Sequence, residues 1–523
     1  MPTRRVRTRP RALLPALLTG AFCLLALVRN LGFIRDGFDG LYGQDPYAYL
    51  DYIERILALF RDGQALGKVY YPLGFPLIGA VGYRLAGIAG LQGTVIIVGA
   101  LSIGVTGLIA YEIGRGYGLG RTASLIAQSG AALVMLACPQ LTQSSIVIMS
   151  DVPALFWALL SAWGILRYWR TGSGRWAALA AVALALAVMT RWVYALLALP
   201  YGLVLLLGWL RGAPRFRWRT LALIIGMGLL TYAPQIVMNL LDPTPIAGNR
   251  IIWSVSNFAA HDFSTGDGAS HFDDPPAVYY LLPFRSPYYT STGFLPLTVL
   301  GALLLLRRPL LAVFVLGWGA VGYLYLAGIP VENIRYALFN FTPLALATGL
   351  SIGWLIEMAI RAFQTRTIAA LHWQWLLRRA GAAAALLVAF ALVTTAAAQS
   401  GQHTTDLFAR FLPIKQADQA VLRWLRQVIP PTRPPAAIYC LELCLPLAHY
   451  NGLLPIQVYD ETDKTLEARP APAGPTYALF NLAALDMQWK DRAPQMAFRW
   501  LRDHTPMQRV GTFDAYTLFQ ISP

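Results

Sequence analysis

Apolar runs long enough to cross a hydrocarbon core alternate along this chain with short segments in which arginine is almost the only charge. A helix needs roughly 20 apolar residues for such a crossing, and helices are expected because unpaired backbone groups cannot be left in lipid. The pattern predicts eleven spans, near residues 12–31, 92–113, 122–139, 151–166, 176–190, 193–210, 220–240, 291–306, 309–327, 336–357 and 380–398. Arg4, Arg5, Arg7, Arg9 and Arg11 before the first run resemble the start of a secretory signal. No small-x-small cleavage motif follows Val28, and more spans come after it, so residues 12–31 read as a retained first helix.

Two gaps are far longer than connectors need to be. In the first, residues 32–91, the stretch Asp45 to Leu57 sets apolar and aromatic residues at helical spacing with charges between them, as in a helix lying in the interface. Tyr71 to Leu85 is apolar but short and contains Arg84; as a span it would reverse every later loop, so it reads as interfacial or re-entrant. The second gap, 241–290, holds Asp242, His261, Asp262, Asp267, His271, Asp273 and Asp274 with tyrosines at 279, 280, 288 and 289. Aromatic rings beside acids suit a polar ligand at the membrane surface, although a solvated cover has the same composition.

From residue 400 the pattern changes to short alternating apolar runs with balanced charge, 12 basic against 11 acidic residues. Strands are predicted at Ala437–Leu441, Ile456–Tyr459 and Tyr477–Asn481, with a hairpin over Arg509–Ile521. Helices are predicted at Ala417–Val428 and Pro494–Arg502, and Pro430–Pro435 is a proline-rich link. The expected fold is an all-α polytopic membrane domain, residues 1–399, followed by a small α/β soluble domain, 400–523.

Composition agrees: with 56% hydrophobic and 13% charged residues among 523, too little polar surface exists to cover a soluble particle. The net charge of +16 would point to nucleic acid if it formed a stripe. Instead, the N-terminal tail and the five short loops on its side hold twenty arginines and no Asp or Glu. That is the positive-inside asymmetry, which puts the N-terminus in the cytoplasm and the C-terminal domain outside. No nucleic-acid partner is expected. Four cysteines exclude a disulfide-rich scaffold; Cys440 and Cys444 fall where a bridge is chemically allowed, but the expectation is two half-buried thiols.

Asp151, Arg191 and Arg335 stand at the external ends of spans, and Asp45 stands on the interfacial helix of the first loop. An ionisable group at membrane depth costs up to roughly 3 kcal/mol, so each requires a reason. Asp45 before Pro46, and Ser150-Asp151 before Pro153, have the form of helix caps. The arginines can snorkel to headgroups. Convergence of all four on one face of the membrane favours a site.

These motifs and their order resemble those of the polytopic GT-C glycosyltransferases that use dolichyl- or polyprenyl-phosphate sugars, among them protein O-mannosyltransferases and lipid A aminoarabinose transferases. The matching segments are Gly43-Gln44-Asp45-Pro46-Tyr47, Tyr71-Pro72-Leu73-Gly74-Phe75-Pro76, Ser150-Asp151-Val152-Pro153-Ala154-Leu155 and Arg335-Tyr336-Ala337-Leu338, followed by the tail Val510-Gly511-Thr512-Phe513 and Tyr516-Thr517-Leu518-Phe519. The resemblance implies that Asp45 is the catalytic acidic residue and Asp151 the second acid, with Arg335 and, as a weaker match, Arg191 near the donor's phosphate. Many relatives carry two adjacent acids where this chain has Gln44-Asp45, so a divalent metal has one carboxylate there rather than two.

The implied function is transfer of a sugar from a polyprenyl-phosphate carrier to a lipid, glycan or protein acceptor on the extracytoplasmic face of the plasma membrane. The alternative is a transporter, flippase or lipid-binding scaffold; paired repeats and midplane charges, its usual marks, are not evident in the sequence.

Overall fold

A computed structural model of the chain describes residues 13–34, 38–64, 66–67, 71–211, 218–241, 253–265, 268–281, 286, 289–364, 372–459, 461–470 and 472–522. The arginines at 4–11, Arg215, Arg217, Asp242, Asp267, Tyr288 and Arg366 lie outside the described residues. In chain order come α1 (Leu13–Phe33), α2 (Asp45–Asp62), α3 (Gly74–Tyr117), α4 (Arg121–Leu136), α5 (Pro139–Ser144), α6 (Asp151–Thr171), α7 (Gly174–Thr190), α8 (Ala198–Leu210) and α9 (Trp218–Leu241). A hairpin of β1 (Asp262–Thr265) and β2 (Gly268–His271) precedes α10 (Pro276–Leu281), α11 (Leu295–Leu306), α12 (Pro309–Ala327), α13 (Leu338–Gln364) and α14 (His372–Val428). The C-terminal part contains β3 (Ala437–Cys440), α15 (Cys444–Asn451), β4 (Leu454–Gln457), α16 (Asp463–Glu467), β5 (Thr476–Asn481), α17 (Leu482–Met487), α18 (Ala493–His504), β6 (Met507–Phe513) and β7 (Tyr516–Ile521).

Every predicted span coincides with a helix. Among the described residues, seven helices are long and apolar enough to cross a membrane by length and composition; Gly174–Thr190 and Thr292–Leu306 are apolar but shorter. The bundle centre is built on small residues, as expected where lipid supplies no hydrophobic drive between helices. Gly349 and Gly353 on α13 face Ala127 and Ala123 on α4, where an added Cβ would lie 2.5 and 2.6 Å from their carbonyl oxygens. α9 by contrast is almost bare of protein and packs on α7.

The first loop becomes α2 and the opening arm of α3. That arm ends at Ala86 and Gly87, which leave helical geometry. Gly82 and Gly90 would stand about 12 Å apart in a continuous helix, yet a Cβ on Gly90 would meet the Gly82 carbonyl oxygen at 2.1 Å. The chain therefore doubles back, and at Gly79 the arm packs against Ile53 of α2 and Leu91 of the returning part of α3. Buried Tyr47, Leu50, Ile53 and Ile56 supply the inner face of α2.

α14 is longer than expected. Ala417–Val428 is the end of one helix that begins at His372 and runs about 85 Å at 1.5 Å per residue. The polar stretch after Ala398 hides this continuity, because its apolar stripe narrows to a few residues. Phe408 and Phe411 carry that stripe, stacking on Phe33 and meeting Phe38 and Tyr42 of the first loop.

The C-terminal part contains a five-stranded sheet of order β4-β3-β5-β7-β6. β3 pairs in parallel with β4 and β5, and β7 runs antiparallel to β5 and β6. β3 is buried along its whole length, as a central parallel strand covered on both faces should be. β4 begins two residues before the predicted strand. The thiol expectation is overturned: Cys440 and Cys444 are bridged, with Cα atoms 5.4 Å apart.

Candidate active site

Asp45 is the first residue of α2, and Pro46 fits the helix start because its fixed φ suits the first turn. The capping expectation fails, since the residue before the helix is Gln44 and no side chain caps it. The Asp45 carboxylate turns aside instead, accepting hydrogen bonds from the Tyr71 hydroxyl at 2.8 Å and Arg335 Nη1 at 3.0 Å. α6 repeats the pattern. Ser150 makes no side-chain cap; its Oγ receives the Tyr49 hydroxyl at 2.7 Å, and Asp151 faces the arginines.

Arg191 stands where α7 gives way to extended backbone, φ −158° and ψ 118°, which turns its guanidinium inward onto Asp151. Arg335 lies in the segment between α12 and α13, with Nε 3.7 Å from Asp151 and Nη1 3.1 Å from the Met149 sulfur. Both guanidiniums lie over the Tyr336 ring, 4.8 and 5.3 Å from its centre. The four charged residues found in the sequence thus form one neutral cluster, and the arginines are paired inside it rather than snorkelling outward. Side-chain exposure rises from 6% at Asp151 to 33% at Asp45, so Asp45 is the carboxylate reachable from outside.

Burial acts to push the Asp45 carboxyl up, but the Arg335 charge, hydrogen bonds from Tyr71 and Arg335, and Arg191 outweigh it. Asp45 therefore sits below the usual carboxylate range and is ionised at neutral pH. Burial, then the Asp45 charge, pushes the Tyr71 phenol up, so it stays a donor. Arg335 Nε is buried with no hydrogen-bond partner. Next to it a cleft of about 170 Å³ is lined by Asp151, Arg191 and Arg335 and by apolar groups including Trp192, Tyr325 and Ile329. Asp45 does not line this cleft and adjoins it through Arg335.

The second loop supports the site from behind. Tyr280 donates to the Val331 carbonyl at 2.8 Å and accepts from the Asn333 amide at 3.0 Å, and buried Tyr289 donates to the Ala337 carbonyl at 3.1 Å. These contacts fix the segment that carries Arg335. Burial, with Asp274 and Asp273 nearby, pushes Glu332 in that segment up to about 7. His271 and Asp262 pair at 2.7 Å on the exposed hairpin. Among the described residues no three His, Cys, Asp or Glu side chains stand together as a metal site. Asp45 and Asp151 each already face a guanidinium, a donor set that does not fit a divalent cation.

Tyr49, Tyr71 and Tyr336 are the site residues whose roles sequence reasoning missed. The clue was present in two of the quoted motifs, where Tyr71 precedes Pro72 and Tyr336 follows Arg335.

The fold that brings these four charged residues together, a helical bundle followed by a small sheet, occurs in solved structures. The crystal structure of ArnT from Cupriavidus metallidurans in the apo state superposes with TM-score 0.61 at 17% identity, covering 97% of each chain. The same protein bound to undecaprenyl phosphate gives 0.60 at 18%, with the same coverage. The Archaeoglobus fulgidus oligosaccharyltransferase in the apo form gives 0.52 at 14%, covering 84% of this chain and 64% of that one. No protein-family model and no curated protein matches the sequence.

Proposed function

We propose that this chain is a membrane glycosyltransferase that takes a sugar from a polyprenyl-phosphate carrier and attaches it to an acceptor hydroxyl on the extracytoplasmic face of the plasma membrane. Eleven helices span the bilayer, residues 32–91 and 241–290 form the outer loops, and 400–523 form the exported domain. The observation that carries this reading is the buried Arg335 Nε, which makes no hydrogen bond and meets Asp151 only at 3.7 Å, standing beside Arg191 and an apolar-walled cleft. A buried donor that makes no hydrogen bond is costly, and a lipid phosphate supplies both a close acceptor and a tail that suits the walls. The ArnT structure with undecaprenyl phosphate has the same fold.

In this mechanism Arg335 and Arg191 hold the donor's phosphodiester, and Asp151 keeps both guanidiniums in place. The acceptor oxygen attacks the anomeric carbon, the carbon–oxygen bond to phosphate breaks with its electron pair going to the phosphate, and the acceptor proton passes to Asp45. Phosphate competes with Asp45 for Arg335. As that pairing loosens, the influence that holds the Asp45 carboxyl down fades, and it becomes a better base. The products are glycosylated acceptor and polyprenyl phosphate. The transporter reading gains no support from a charge cluster at one end of the bundle. Full-length protein in lipid is supplied with a panel of polyprenyl-phosphate sugars and simple acceptors; consumption of one donor with release of polyprenyl phosphate is expected. Binding of the lipid phosphate with no turnover of any donor would favour the scaffold.

A further inference from the structure

Asp45 sits at the start of a helix whose opposite face is held by a second polar cluster, outside the site described above. Residues two apart on a helix point in nearly opposite directions, whereas residues four apart share a face. Asp45 and Tyr49 accordingly face Arg335, Tyr71 and Ser150, while Tyr47 faces away. There it meets Lys415 of α14 and Tyr450 of α15. The Lys415 ammonium is buried and has three protons to place. It reaches the Tyr47 hydroxyl at 3.0 Å, the Tyr450 hydroxyl at 3.3 Å and Asp39 Oδ1 at 3.5 Å, and lies 5.5 and 5.3 Å from the centres of the two tyrosine rings. Tyr450 also donates to Asp39 Oδ2, and Asp39 Oδ1 accepts the Leu41 amide at 3.1 Å. One ammonium thereby joins the approach to α2, the first turn of α2, the long helix and the soluble domain.

We propose that Lys415 is a positioning residue: by tying the first turn of α2 to α14 and to Tyr450 of the soluble domain, it sets where Asp45 stands against Arg335. The proposal rests on the reading of Asp45 as the general base. It gives the soluble domain a part in the chemistry, since Tyr450 lies on a helix whose first residue, Cys444, is bridged to β3 through Cys440. A small displacement of a base away from its acceptor lowers turnover without removing donor contacts. Loss of Lys415 should therefore appear in kcat and spare KM for the donor, which is bound elsewhere.

The test uses the full chain in lipid nanodiscs, with Lys415→Met, which keeps the stem and removes the charge, Lys415→Arg, which keeps the charge, and Tyr450→Phe. Two measurements are made: hydrogen exchange of the peptide covering Gly43 to Leu50, and transfer kinetics with a polyprenyl-phosphate sugar that the parent consumes. Lys415→Met is expected to speed exchange in that peptide but not in α4 or α13, and to lower kcat by about 10- to 100-fold with donor KM within about twofold. Lys415→Arg is expected to recover part of both, and Tyr450→Phe to fall between. Parental exchange in the α2 peptide of Lys415→Met overturns the proposal, as does parental kcat. Equal loosening throughout the protein also overturns it, because that marks a general stability role. If the parent turns over no donor, the glycosyltransferase reading fails, while the exchange data still decide whether Lys415 holds α2.

Discussion

A single atom separates the two roles open to Asp45. Its carboxylate does not cap α2 but pairs with Arg335 across the site. Asp45→Asn therefore keeps the helix start and loses only a partly exposed ion pair, so stability should stay within about 1 kcal/mol of the parent. Transfer should fall by about 100-fold or more, because an amide cannot take the acceptor's proton. Parental turnover in the reconstituted assay would remove Asp45 from the mechanism. Arg335 requires a different substitution. Arg335→Ala leaves Asp45 with the Tyr71 hydroxyl alone and Asp151 with Arg191 alone, and is expected to destabilise by about 3 kcal/mol, which confuses binding with folding. Arg335→Lys keeps the charge but cannot reach Asp45, Asp151 and a phosphate with one planar fork. It is expected to weaken binding of polyprenyl phosphate about 10-fold at near-parental stability, measured by titration in nanodiscs. The pH behaviour of two acids then has opposite signs. The depressed Asp45 contributes stability that is present above its ordinary value and is lost as pH falls through its lower folded value, below about pH 4. The raised Glu332 contributes stability fully present below about pH 4.3 and lost as pH rises through about 7. Glu332→Gln should thus melt higher than the parent at about pH 8 and equally with it at about pH 4.

At the scale of elements, what the sequence made legible follows from how unusual each signal is. Asp45, Asp151, Arg191 and Arg335 stand out because charge among apolar spans has few explanations. Tyr49, Tyr71 and Tyr336 do not, since tyrosine at the end of a span is ordinary interfacial composition. Lys415 is harder still: it lies in a stretch of balanced charge where a solvated lysine is the default, and only the approach of Asp39, Tyr47 and Tyr450 from distant segments removes it from water. Helical spans were readable from length and hydropathy, whereas the doubling back of α3 at Gly87 depends on the close approach of Gly82 and Gly90, which no periodicity records. The four-residue strands of the β1–β2 hairpin are too short for an alternating pattern to declare itself. The cysteines failed for a related reason, because spacing alone does not say that the end of β3 and the start of α15 place two thiols together. That bridge closes a very short loop, so replacing both cysteines by alanine is expected to cost about 2 kcal/mol in the unfolding of the soluble domain. Both cysteines are buried, at 0% and 1% exposure, so the folded protein should resist reductant until it is unfolded. Thiol labelling with and without denaturant measures this directly, and rapid labelling of the reduced native protein would contradict it.

At the scale of the whole molecule, the orientation in the membrane decides whether the cluster faces a lipid-linked donor on the outer side. The ends of the bundle differ in charge. One end gathers Asp45, Asp151, Arg191 and Arg335 into a neutral site and adds Asp39 and Lys415 below the soluble domain. The other carries Arg115, Arg167, Arg170, Arg308 and Arg361. Glu112 there pairs with Arg167 and Arg170, and Glu357 with Arg361 and the Gly120 amide. Among the described residues two carboxylates against these five guanidiniums leave a positive excess, and the positive-inside rule predicts that this end stays in the cytoplasm. A reporter fused after Pro523 should therefore be exported, active as a periplasmic or extracellular enzyme and silent as a cytoplasmic one. Reporters placed at Arg217 and Arg366, in loops that the eleven-span count puts on the arginine side, should behave in the opposite way. The two internal positions test different parts of the count, because Arg217 follows six spans and Arg366 follows ten. If Arg217 alone were exported, two spans would have been miscounted, one before it and one between it and Arg366, because a single miscount before Arg217 reverses every later loop. Were Pro523 cytoplasmic and both loops exported, either the arm of α3 crosses as an additional span, which leaves Asp45 outside, or the whole bundle is inverted. A reporter at the N-terminus separates the two, and in the second case Asp45 would face nucleotide sugars instead of a lipid-borne donor.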